Sequence, residues 1–394
     1  MVSRTLREIS GFPSLSRLLA RESLRRKEFP AVRQAAFLAH AAVCPLPARV
    51  AGAVSDYALD AMRRGQFERL YARAWTGARI LAARLLGCSP DEIAFSSSTS
   101  AGLSLVASGL DWRSGDGVLL AEDDFPANLY PWLGLERRGV RVRFVPRRPD
   151  GSLRVSDVES RLLPKTRLVS LSSVHYLTGA VLDVDGMGRM LRRRGVLFCV
   201  DAIQSLGALP LSVRRVDFLA ADAHKWLLGP EGIAIVYVRR ERMRGLFPST
   251  LGWRSVREPY DFQARRLEFP DSAARYEPGS PNALGLVGLH AALSLLDRVG
   301  IEKIAGRIAL LHGVLRSALL ERGCEVLGPS AGPRSGILSL RMPGRDMKRL
   351  HKALLRRKIL VSLRSDSAGP CLRVSPHFYN TEGELGRLLE ALAD

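Results

Sequence analysis

The segment Ala221-Asp222-Ala223-His224-Lys225-Trp226-Leu227-Leu228-Gly229-Pro230 places a lysine amine directly after an imidazole, between two short apolar runs. Upstream, Val200-Asp201-Ala202-Ile203-Gln204 closes another apolar run on a carboxylate. An amine in apolar surroundings forms imines with carbonyl compounds. A buried acid can keep a pyridine nitrogen protonated. Pyridoxal phosphate asks a protein for both groups. Only seven of the 59 Lys and Arg residues are lysines. A guanidinium stays protonated and forms no imine, so Lys225 stands where the chain's common cation would not serve.

A phosphate needs hydroxyl and backbone N–H donors, which converge at a helix N-terminus. Ser97-Ser98-Thr99-Ser100 follows a predicted strand and opens a predicted helix. Thr99 and Ser100 are the candidate ligands, although a plain Ser/Thr cap would sit in the same place. Gln204 lies one turn beyond Asp201, within reach of a ring hydroxyl, and His224 is a further phosphate or hydroxyl contact. Asp201 itself could instead cap the turn that follows it.

Alternating strands and helices must position these groups. Short apolar runs predict strands at 93–96, 117–121, 141–145, 167–171, 196–201, 217–221 and 232–238. Helical spacing predicts helices at 48–63, 67–86, 101–110, 127–138 and 185–194. Uniformly apolar strands separated by helices make an α/β fold, a mostly parallel seven-stranded sheet covered on both faces. In such sheets ligands bind beyond the strands' carboxyl ends, where Asp201 and Lys225 fall. Glu277-Pro278-Gly279-Ser280-Pro281-Asn282 marks a domain junction. The expected division is a basic arm at 1–30, a large cofactor domain at 31–280 and a smaller α+β domain at 281–394.

The chain has 394 residues, enough for two cores, and a net charge of +20. Its cations lie in scattered doublets and triplets, not in one tail or helix, so no specific nucleic-acid partner is expected. No apolar run is long enough to span a membrane, and the first thirty residues lack the apolar core of a secretory signal. Five scattered cysteines without a C-x-x-C pair point to reduced thiols in a cytoplasm and to no metal site.

Several segments, taken in order, resemble class V aminotransferase-type enzymes of fold type I: 37–47, 95–101, 124–132, 200–204, 224–230, 251–256, 276–282 and 373–381. That group includes cysteine desulfurases, selenocysteine lyases, isopenicillin N epimerase-like proteins and kynureninases. The resemblance implies that Lys225 carries the cofactor and moves the substrate Cα proton, passing through an external aldimine and a Cα carbanion. It also implies that Phe125 stacks on the pyridine ring, and that Arg373 holds the carboxylate of an amino-acid substrate near His40 and Tyr176. Ser280 would reach the phosphate of a neighbouring subunit, making the site shared in a homodimer. Where the family has Ser three residues before its lysine, this chain has Asp222, which is therefore not assigned to the phosphate.

A cysteine desulfurase needs a thiolate on a mobile loop before the carboxylate-binding arginine. Residues 360–370 contain no cysteine, and Cys371 is only two residues from Arg373. A cysteine-independent lyase or epimerase acting on an amino acid or amine is therefore expected. The alternatives are an aminotransferase, a kynureninase-like C–C hydrolase suggested by Phe125-Pro126 and Leu251-Gly252-Trp253, and a noncatalytic basic nucleic-acid-binding protein.

Overall fold

A computed structural model describes residues 13–393; residues 1–12 of the basic arm and Asp394 lie outside the described residues. Seven strands form the main sheet. In chain order they are β2 (Ile93–Ser96), β3 (Gly117–Ala121), β4 (Arg141–Val145), β5 (Thr166–Ser172), β6 (Leu197–Asp201), β7 (Phe218–Asp222) and β8 (Ala234–Val238). Their order across the sheet is β2-β8-β7-β6-β5-β3-β4. All neighbours are parallel except β8, which runs antiparallel to both β2 and β7. The fold type I sheet expected from the sequence is thus present, and all seven predicted strands belong to it.

Side chains that alternate along each strand fill two separate core layers. Leu119, Leu219 and Ile235 pack with Ala78 and Ala82 of the helix Ala72–Leu86 and with Leu286 and Leu293 of the helix Ala283–Val299. Leu120, Ala220 and Val236 face the opposite way, against Leu103, Val106 and Ala107 of the helix Thr99–Gly109. With both faces covered, the strands can be apolar throughout. The functional groups are left at their carboxyl ends.

The C-terminal part has its own antiparallel sheet in the order β12-β13-β10-β9. Its strands are β9 (Glu325–Leu327), β10 (Leu338–Arg341), β12 (Ser362–Asp366) and β13 (Gly369–Val374). The helices Ile301–Glu321, Met347–Arg356 and Glu382–Ala393 pack on it. Residues 25–37 dock on this part. Strand β1 (Ala36–Phe37) pairs in parallel with β11 (Ile359–Leu360). The Phe29 ring stacks on Tyr379 at 3.8 Å between centroids, and Arg25 donates to Glu384 at 3.0 Å.

Two predicted helices are corrected. Residues 67–86 are a 3-10 turn, Glu68–Leu70, followed by the helix Ala72–Leu86. Residues 127–138 do not form a continuous helix but a single turn, Tyr130–Leu133, flanked by two 3-10 turns, Pro126–Asn128 and Glu136–Arg138. Pro131 lacks the N–H that a continuous helix needs. The Asn128 side chain is held by tertiary partners as well, donating to Asp124 at 3.0 Å and accepting from the Ser170 hydroxyl at 2.5 Å.

Candidate active site

Asp201 ends β6 and is 2% exposed. One carboxylate oxygen accepts the Ile203 N–H at 3.0 Å. Burial pushes its pKa up to about 7, with Asp124 and Asp222 adding to the rise and Lys225 opposing it. A cation placed against this carboxyl would therefore be held strongly.

Lys225 lies three residues beyond the end of β7. The Ala223 N–H donates to the Ile233 carbonyl and the Gly229 N–H returns to the Ala223 carbonyl, closing the 223–229 loop. The turn is tight enough to place Leu228 at φ 58°, a left-handed conformation costly for a branched residue. Gly207 backs the loop. A Cβ there would come within 2.4 Å of the Trp226 carbonyl, so only glycine permits the approach. Burial lowers the Lys225 pKa to about 8, against the pull of Asp201, and Arg373 lowers it further. A share of the amine is then unprotonated at neutral pH, as a nucleophile and base requires.

The Phe125 ring lies 5.7 Å from Lys225 Nζ and is 44% exposed. Its edge meets Tyr176 at 5.4 Å. Asp124, beside it, is a positioning residue that the sequence reading missed. Its carboxylate accepts the N–H of Phe125 at 2.9 Å, the N–H of Ser172 at 3.0 Å and the Asn128 amide at 3.0 Å. These bonds fix the Phe125 turn to the end of β5. The run of two aspartates before Phe125 was the available signal, but nothing local says which of them turns inward.

Thr99 is buried and Ser100 exposed at the start of the helix Thr99–Gly109. The Nδ1 of His224 is buried without a hydrogen-bond partner, 3.7 Å from Asp222 Oδ1, and Asp222 in turn accepts the Thr99 N–H. Gln204 is committed to the protein, donating to the Ala41 carbonyl at 3.0 Å and accepting the Trp226 indole N–H at 2.8 Å. It braces the lysine loop from behind.

Arg373 enters from β13, buried, and donates to the Tyr176 carbonyl at 2.6 Å. Its Nε and Nη2 have no partner. Burial works against its charge, and Arg364 adds to that. Arg364 pairs with Cys371 in the register that pairs Ser362 with Arg373, so both arginines share one sheet face.

His40, expected beside the substrate, is instead fully buried in the small part. Its ring nitrogens meet the Ser375 carbonyl at 3.0 Å and the Tyr379 hydroxyl at 2.6 Å. Its segment still reaches the site through the backbone, since the Cys44 N–H donates to the His224 carbonyl at 2.7 Å. Ser280 is exposed, on a loop anchored by the buried Glu277–Arg79 pair at 2.8 Å and by Asn282, which caps the helix Ala283–Val299. Among the described residues no cluster of His, Cys, Asp or Glu suits a metal ion. No single described helix is long and apolar enough to cross a membrane.

Unpartnered buried nitrogens on His224 and Arg373, a low-pKa lysine and a buried acid make a donor set that suits pyridoxal phosphate and an amino-acid carboxylate. The sheet and site define a fold type I enzyme of that cofactor. The chain belongs to the class V aminotransferases, whose family profile matches residues 36–388. It is 29% identical to the uncharacterized aminotransferase YcbU of Bacillus subtilis, over 93% of this chain and 96% of the relative. It is 30% identical to a probable cysteine desulfurase of Methanothermobacter thermautotrophicus, over 93% and 97%. Among solved structures it resembles the apo cysteine desulfurase of Thermococcus onnurineus NA1, with a TM-score of 0.86 and 26% identity over 94% of this chain and 97% of that one. It is as similar, by TM-score (0.86) and identity (26%), to the cystine C-S lyase C-DES bound to its product cysteine persulfide, over 93% and 99%.

Proposed function

We propose that the protein is a lyase that acts on an amino acid without a catalytic cysteine, with sulfur-containing amino acids the first substrates to test. One observation carries this. Cys371, the thiol nearest Arg373 in sequence, is fully buried, and burial pushes its pKa up to about 11. The β12–β13 connection that would carry a mobile thiol is a short hairpin closed by Asp366 and Gly369, with Ser367 and Ala368 at its tip. A buried, protonated thiol is no nucleophile. The relatives named as probable cysteine desulfurases and as a cystine C-S lyase support sulfur chemistry.

The bound cofactor supplies an electron sink conjugated to the substrate Cα. Lys225 holds it and then takes the Cα proton on Nζ, with a basicity suited to neutral pH. Asp201 keeps the ring nitrogen protonated. Arg373 fixes the substrate carboxylate through Nε and Nη2, a fork that suits two oxygens. Phe125, 5.7 Å from Lys225 Nζ and edge-on to Tyr176, would stack on the bound ring. The site is shared in a homodimer through Ser280, and the five unpaired cysteines accord with a reducing cytoplasm.

The test is product analysis with L-cystine and L-cysteine. β-Elimination from cystine gives pyruvate, ammonia and cysteine persulfide, whereas desulfuration gives alanine and a protein-bound persulfide. Pyruvate at equal rates in wild type and Cys371→Ser supports the proposal. Alanine with persulfide on the protein overturns it.

A further inference from the structure

The end of the helix Thr99–Gly109 has few donors to spare. The Thr99 N–H goes to Asp222 Oδ2 at 2.8 Å, that of Ala101 to Ser98 Oγ at 3.1 Å, and that of Gly102 to the Ser98 carbonyl at 3.0 Å. Of the first-turn N–H groups only that of Ser100 is left. The Asp222 N–H returns a bond to Thr99 Oγ1 at 2.9 Å, so the carboxylate is pinned to the helix end from both sides. Burial works against the charge of Asp222, but the His224 ring and the Thr99 N–H outweigh it and hold the pKa below the usual carboxylate range. On the proposed cofactor placement, with the phosphate at the start of this helix, an ionised carboxylate stands beside it.

A dianionic phosphate at that place meets a like charge on a buried carboxylate. The groups around Asp222 offset its charge only in part. The His224 ring, with Nδ1 3.7 Å from Oδ1, favours the ionised carboxylate electrostatically but is too far for a hydrogen bond. Asp201, at the end of the neighbouring strand, is itself an acid.

We propose that the cofactor phosphate is held as the monoanion, its remaining proton shared with the Asp222 carboxylate. A free phosphate ester loses that proton with a pKa of about 6, so loading at neutral pH takes one proton from solvent. That proton sits in a P–O–H···carboxylate hydrogen bond, and no covalent bond other than the O–H is made. The effect concerns the phosphate and is independent of which Cα bond the enzyme breaks.

Phosphorus NMR of the holoenzyme across about pH 6 to 9 tests this. The expected wild-type resonance lies at the monoanion position at pH 7 and moves by the full monoanion-to-dianion difference as pH rises. Asp222→Asn keeps an acceptor for the Thr99 N–H and should hold the resonance at the dianion position throughout. A wild-type resonance fixed at the dianion position overturns the proposal, as does an Asn variant that titrates with the wild-type midpoint. No protein-bound phosphorus resonance at all would overturn the cofactor assignment as well, a result distinct from either.

Discussion

Arg373 donates to the carbonyl of Tyr176 at 2.6 Å, tying the small sheet to the loop whose ring faces Phe125. One guanidinium edge is spent on architecture and the other is left for a ligand. Replacing Arg373 with Lys keeps a charge but loses the planar fork. The expected result is a rise in KM of about tenfold or more for amino acids, from the loss of a charge-assisted pair. Amines that lack the carboxylate should change little. Steady-state kinetics on both substrate types checks this.

Removing the amine is the sharpest lesion. Lys225→Ala should abolish the visible band of the protein-linked cofactor and cut turnover by about 10² to 10⁴, the usual worth of a positioned base. Borohydride reduction followed by peptide mass analysis should find the pyridoxyl adduct at Lys225 in the wild type and no adduct in the variant.

The rate of cofactor attachment should depend on pH with a known sign. The Lys225 pKa lies at about 8, so the reactive free amine increases as pH rises towards that value and levels off above it. Stopped-flow mixing of apoprotein with cofactor should show this rise. A rate that keeps climbing to the ordinary lysine pKa would contradict a buried amine.

Asp201 should leave its mark on the stability of the apoprotein. Its folded pKa of about 7 exceeds the unfolded value of about 3.9, so between them the native state binds more protons. This contribution is fully present below the lower value and is lost as pH climbs through the upper one. Denaturant melts of Asp201→Asn should show a flatter pH dependence over that window, together with a large loss of turnover in the holoenzyme.

Arg25 is buried against Glu384 and the Tyr379 carbonyl. Arg25→Ala leaves an acid in a dry place and should cost about 3 kcal/mol. The urea midpoint should fall at an unchanged m-value.

Most strands of the main sheet were legible because they are short apolar runs bounded by turn residues, such as Gly117–Ala121 and Ala234–Val238, while the edge strand Arg141–Val145 alternates arginine with apolar residues. Lys225 and Asp201 were legible for a related reason, being polar groups at the ends of apolar runs. Other features depend on partners far away in sequence. Nothing near Ala36 announces that it will pair with Ile359, and nothing near His40 announces that Tyr379 will claim its ring. The sequence showed Asp222 to be out of place in a phosphate site. Its bond to Thr99, 123 residues away, gives the reason it is retained.

The pairing of Ala36–Phe37 with Ile359–Leu360 also governs when the protein can become active. The opening segment leaves the ribosome long before its partner strand has been translated. Contacts across such a span form late. The same segment carries Cys44, whose N–H braces the lysine loop, so a nascent chain stalled before codon 359 should capture the vitamin less well than the finished polypeptide.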